Sequence, residues 1–143
     1  TNFETAKKLH YFSTKLQKLV DHCYNTFPNE LRNRRLKIRF DKMPINQTSS
    51  KESSAAYVIN KGQELRICLN GNDNDTMFVL LHELAHVMSV SYGHNDEFWG
   101  NMEHLVNEAI KIDIYKCTDY KNYPRRYCGT LISNTSCQPK TRK

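Results

Sequence analysis

No apolar run in this sequence approaches the roughly 20 residues that a helix needs to cross a bilayer, so no segment reads as membrane-spanning. No two of its five cysteines, at 23, 68, 117, 128 and 137, stand as C-x-x-C, which argues against a cysteine-based zinc finger or ribbon. Internal repeats and long low-complexity tracts are missing as well. The 143 residues suit one compact unit better than two, so 1–143 is read as a single domain. The chain opens on Thr1 instead of methionine, which leaves a leader or anchor upstream open. The odd cysteine count favours a reducing, intracellular setting: cytoplasm, nucleus or, for a viral chain, the virion. Cys23 and Cys68 fall at apolar positions of a helix and a strand, where a thiol packs as a small hydrophobe. A Cys128 to Cys137 bridge is the pairing that the loop-like C-terminal segment allows.

What the sequence has is a formal charge of +6, unevenly placed. "RNRRLKIR" (Arg32 to Arg39), "YPRRY" (Tyr123 to Tyr127) and the tail "KTRK" carry much of it. Such clusters meet nucleic-acid phosphates or simply stay solvated, and charge alone does not choose.

Hydrophobic spacing orders the rest. Leu9, Phe12, Leu16, Leu19, Val20, Cys23 and Phe27 recur at helical steps and predict a first helix ending before Pro28. "RLKIRF" alternates apolar and basic residues and predicts a strand. "AAYVIN" and "ELRICLN" do the same around "KGQ" and predict a hairpin. "NQTSSKESS" (Asn46 to Ser54) reads as a polar surface loop. A helix is expected from near Asp75, with Met77, Leu80, Leu81, Leu84, Val87 and Met88 buried and Gly93 as its stop. "NDEF" caps another, with Phe98, Met102, Leu105, Val106, Ala109 and Ile110 along it. From Lys116 onward the chain reads as irregular and tyrosine-rich. This order of elements gives an α+β domain with a small three-stranded sheet.

Within the second helix stands "HELAH". His82 and His86 lie four residues apart, so their rings share one face a turn apart, the placement a tetrahedral zinc ion takes. Glu83 follows the first histidine and is set beside the metal, where it can take a proton from the attacking water and return it to a leaving amine. The spacing is the H-E-x-x-H of zinc metalloproteases. A bare H-E-x-x-H also arises by chance, and a histidine on an apolar helix is more often a hydrogen-bonded core residue than a ligand. Context favours the metal here: Leu80, Leu81, Leu84 and Val87 flank the pattern, and Gly93 and His94 follow at once. His94 is the expected third ligand, returned by a glycine turn, with Glu103 or Glu108 of the next helix as the competing choice. His104 is expected at the surface or a helix interface, and His10 and His22 elsewhere.

With these residues assembled, the chain resembles the SprT-like and WLM metalloproteases. "HELAH" followed by "GHNDEF" is similar to their G-H-x-x-x-F element, over about Thr76 to Val106. The ending "YCGTLI" is similar to WLM-type proteins of large DNA viruses. The resemblance implies a minimal zincin-like fold, a zinc peptidase, and a substrate class of proteins held on or crosslinked to DNA. Some members of this group act on ubiquitin-like conjugates. The chain departs from the pattern in the seven residues between His86 and His94, longer than in metzincins, and in lacking a metzincin-type methionine turn. It also has no recognisable ubiquitin- or clamp-binding motif, so zinc chemistry carries over and substrate does not.

The expected mechanism has His82, His86 and His94 holding zinc and Glu83 acting as general base, then acid. By the same resemblance, Glu64 to Asn70 is expected to pair with extended substrate. Tyr120, Tyr123 and Tyr127 are candidate oxyanion donors, each more often simply packing the C-terminal coil. Two readings compete with this one: a dedicated peptidase for a viral precursor or ubiquitin-like conjugate without DNA, and a zinc-containing DNA- or protein-binding module without catalysis.

Overall fold

The first helix forms as its spacing predicts. In the computed structural model, which describes residues 3–48 and 56–139, α1 (Phe3–Thr26) buries Phe12, Leu16, Leu19, Val20 and Cys23. The segment expected as a strand is instead the helix α2 (Leu31–Asp41). Its buried residues are Asn33, Leu36 and Phe40, at three- and four-residue steps, while Ile38 is exposed. Leu36 and Phe40, four residues apart, fit the helical period as well as the strand's, and packing against α1 and the helix Asp73–Met88 selects the helical one.

The sheet is built from β1 (Ile45–Gln47), β2 (Ala56–Ile59) and β3 (Glu64–Ile67), in the order β1-β3-β2. β2 and β3 form the expected antiparallel hairpin, with Val58 opposite Leu65. Asn60 and Lys61 turn it in the left-handed region, at φ 46° and 58°. β1 pairs parallel with β3, so Asn46 and Gln47 are strand residues; Ser49 to Ser54 of the expected loop lie outside the described residues. β3 is flanked on both sides and has no edge to offer a substrate, which corrects the expectation for Glu64 to Asn70. The outer edges belong to β1 and β2.

Helix α3 (Asp73–Met88) starts two residues before Asp75 because Asn72 caps it, its side chain accepting from the Asp75 N–H at 2.8 Å. All six residues expected in its stripe are buried. It ends at Met88, ahead of Gly93, where cations on α2 and in the β2–β3 turn meet its last carbonyls. Arg35 Nη1 donates to Met88 O at 2.8 Å, Arg39 Nη1 to Val87 O at 2.8 Å and Ser89 O at 3.1 Å, and Lys61 Nζ to His86 O at 3.1 Å. These groups meet carbonyls at the helix end, where intrahelical donors run out, and oppose the negative end of the helix dipole. Helix α4 (Asp96–Lys111) begins at the expected cap, Asn95 accepting from Phe98 N–H at 3.1 Å.

The C-terminal segment is less irregular than its sequence suggests. It carries a second, two-stranded sheet, β4 (Arg125–Tyr127) with β5 (Thr130–Ile132), and disulfides link Cys68 to Cys128 and Cys117 to Cys137. Cys128 and Cys137 therefore do not pair with each other, and Cys68 is bridged, not a packed thiol. The odd count reduces to one buried cysteine, Cys23, whose thiol burial and Glu108 push up to about 12. It no longer argues for a reducing compartment, since disulfides persist in oxidising ones. The molecule is α+β, with four helices and a small three-stranded sheet among the described residues. None of those helices is long and apolar enough to cross a membrane.

Candidate metal centre

α3 presents His82 and His86 a turn apart, and the loop after it returns His94 between them. His94 Nε2 lies 3.1 Å from His82 Nε2 and 3.2 Å from His86 Nε2, and one ring nitrogen from each histidine falls within 4.8 Å of the others. Ligands about 2.0–2.1 Å from a tetrahedral zinc ion stand about 3.3 Å apart, so this donor set fits that ion. Gly93, at φ 86°, makes the turn. No other group of histidine, cysteine and acidic side chains among the described residues converges in this way.

Two residues of α4 hold the triad. Phe98 is fully buried beneath it, its ring centre 4.8, 4.4 and 4.8 Å from those of His82, His86 and His94. Glu97 ties down the loop that carries His94: its carboxylate accepts from Val90 N–H at 2.8 Å, from Ser91 N–H at 2.9 Å and from the Ser91 hydroxyl. These bonds hold the Glu97 carboxyl at about 2. If the triad holds zinc, Glu97→Gln should weaken that binding by roughly 10- to 100-fold, as loss of a ligand's support does, while the chain stays folded. Competition titration with a chelating dye measures it, and an unchanged affinity would deny Glu97 this role.

Burial, then the neighbouring histidines, pulls His82 down to about 4. Burial, His94 and Lys61 do the same to His86. Both rings are thus neutral at pH 7, with lone pairs free for a metal. Glu83 is 9% exposed, and its Oε2 lies 3.9 Å from His82 Nε2, beside the triad and not within it. Burial pushes its carboxyl up to about 8, against a hydrogen bond from the Val58 backbone that favours the charged form. A divalent cation at the triad would bring it down.

The competing ligands are elsewhere. Glu103 is exposed, and Glu108 is buried between His22 Nε2 and Lys111 Nζ, each at 2.9 Å. His104 contacts Asn33 at 3.0 Å across the α2 interface, and His10 sits on the exposed face of α1. The tyrosines expected as oxyanion donors do not reach the site. Tyr120 is buried and donates to Asp75 at 2.6 Å; Tyr127 is buried and donates to the Cys68 carbonyl; Tyr123 is exposed and lines no cavity at the triad. The tyrosine that does line a cavity with Glu83 and His86 is Tyr92, its ring 4.6 Å from Lys61 Nζ. Its place two residues before His94 is the signal that could have found it.

Glu83 lines two cavities. One, of about 250 Å³, includes Val58, Lys61, His86 and Tyr92. The other, of about 320 Å³, includes His82 and Trp99. The basic cluster on α2 is largely engaged within the molecule: Arg35 and Arg39 with α3, Arg34 with Pro28 O at 2.7 Å, Arg32 with Glu30 at 2.8 Å, and Lys37 with Asp21 and Asp41 at 2.7 and 2.8 Å. Arg125 of the second cluster pairs with Asp75 at 2.7 Å.

No family model matches the chain, and no solved structure matches it. It is 31% identical over 101 residues to uncharacterized protein R325 of Acanthamoeba polyphaga mimivirus, covering 66% of this chain and 51% of that one. It is 33% identical over 84 residues to uncharacterized protein 042R of Invertebrate iridescent virus 3, covering 54% and 52%. The chain thus spans about half the length of the curated relatives it matches, and it is similar to proteins of large DNA viruses.

Proposed function

We propose that this chain is a zinc-dependent endopeptidase with a zincin-like site of the SprT/WLM kind. The observation that carries the proposal is the convergence of three imidazoles beside a buried carboxylate that opens on two cavities. His82, His86 and His94 would hold the ion. Bound zinc polarises a carbonyl and lowers the pKa of water toward ~7. Glu83 takes the proton of the attacking water and passes it to the leaving amine. Val58 N–H steadies the carboxylate while it is charged. A purely structural site has no use for an acid at this position, which favours catalysis over a binding module.

An extended peptide can add to the outer edge of β2, which faces Glu83 through Val58; backbone pairing of this kind tolerates many sequences. Tyr92 is the proposed donor to the developing oxyanion. Tyr92→Phe is expected to lower kcat by roughly 10²-fold with little change in KM, as measured on a peptide substrate.

The test is a zinc titration followed by digestion of an unfolded protein, with and without chelator and with and without single-stranded DNA. Cleavage that zinc restores supports the proposal. Stimulation by DNA would favour DNA-held substrates, and indifference to DNA a dedicated peptidase. One zinc per chain with no cleavage under any condition would overturn catalysis in favour of a binding module.

A further inference from the structure

Resting on the peptidase reading, we infer that the cavity of about 320 Å³ beside His82 and Glu83 is a specificity pocket for a large apolar side chain of the substrate, next to the bond that is cut. Its wall combines Ala56 of β2, Val79 of α3, Trp99 and Met102 of α4, and Leu131 and Ile132 of β5. Glu83 is the one acidic or basic side chain in that lining other than His82, and both belong to the site already described. Thr130, Ser133 and Asn134 supply the remaining polar groups. A cavity at the low end of the range for small ligands, roughly 300–1,000 Å³, has room for one or two side chains and not for a folded partner. A charged side chain entering it would lose its water without gaining a partner.

Position decides the occupant. His82 and Glu83 are part of this cavity's wall, and Ala56, also in it, begins the edge strand along which an extended peptide can lie. A side chain projecting from such a peptide near the reacting carbonyl enters between Trp99 and the β5 wall. Leucine, methionine and phenylalanine fit its volume and chemistry; aspartate, lysine and glycine do not.

Trp99 is the sole tryptophan, so its fluorescence reports on this pocket without any need for turnover. The experiment uses the zinc-loaded chain carrying Glu83→Gln and blocked Gly/Ser peptides that differ at one central residue. Leucine and phenylalanine peptides should shift the emission and bind roughly tenfold or more tighter than their glycine and aspartate counterparts, the discrimination an apolar pocket gives. Adding Ala56→Phe, which narrows the cavity, should abolish that preference while zinc stays at one per chain. Leu131→Ala, at a half-exposed position, should weaken it and serves if Ala56→Phe does not fold. Equal affinity for leucine and aspartate peptides, or a preference unmoved by the pocket variants, overturns the inference. Discrimination in binding without Glu83-dependent cleavage in the wild-type chain would retire the peptidase reading and keep the pocket. Glu83-dependent cleavage without discrimination would do the reverse.

Discussion

Glu83→Gln should bind one zinc per chain as the wild type does and lose roughly 10²- to 10⁴-fold in kcat, the range for removing a positioned general base. The substitution keeps the shape and the acceptor for Val58 N–H but cannot take a proton. It also has a signature in the zinc-free chain. The carboxyl of Glu83 is raised from 4.5 to about 8, so the folded state holds its proton more tightly than the unfolded one. Its contribution to stability is complete below pH 4.5 and is lost as pH rises through 8. His82 and His86, lowered from 6.5 to about 4, act in the opposite sense, their contribution being complete above pH 6.5 and lost as pH falls through 4. Between pH 6.5 and 8 Glu83 acts alone among these three. Melts of the chelated wild type should fall across that window, and those of Glu83→Gln should fall less. Parallel melts, or a variant that still cleaves, would remove Glu83 from its assigned role.

The second large effect is expected from opening the Cys68–Cys128 bridge. It joins residues 60 apart in sequence, and the loop-entropy relation gives about 4 kcal/mol for a closure of that length. The Cys117–Cys137 bridge spans 20 residues and is expected to contribute about 3 kcal/mol. Replacing Cys68 and Cys128 by serine should therefore lower the denaturation midpoint strongly. Zinc binding should survive, because the triad and its supports Glu97 and Phe98 lie on α3, α4 and the loop between them. The hairpin would then rest on the Arg125–Asp75 pair, on buried Ile132 and on Tyr127, which is bonded to the Cys68 carbonyl with its ring against Gly71, where even a methyl group would collide. Urea unfolding of the double-serine chain, with zinc content measured beside it, decides the matter. A midpoint within experimental scatter of the wild type would mean that the bridge is not formed in solution.

What could be read from the sequence was local. The apolar stripes of α1, α3 and α4 report burial at fixed intervals, and His82, His86 and His94 are legible because one helix turn and one glycine turn relate them. α2 is ambiguous in the sequence because Leu36 and Phe40 fit both periods while Ile38 fits only the strand's, and the choice rests on whether a neighbour covers Ile38, which is exposed. The arginines of that helix read as a basic patch, yet Arg35 and Arg39 meet carbonyls about 50 residues away in sequence. The disulfides were illegible for the same reason: each joins a loop cysteine to a partner that only the folded chain brings near. Tyr120 and Tyr127 looked available because nothing local reveals that Asp75 and the Cys68 carbonyl await their hydroxyls.

The histidine triad and its supports come from a helix–loop–helix within residues 82–98, whereas one wall of the neighbouring cavity comes from a hairpin at 125–132 that a single covalent bond tethers to the end of β3. On the proposed reading, holding an ion and choosing a guest reside in separable stretches of one chain. If the chain is the peptidase proposed, exchanging the hairpin should redirect what is cut while leaving the chemistry of cutting where it was.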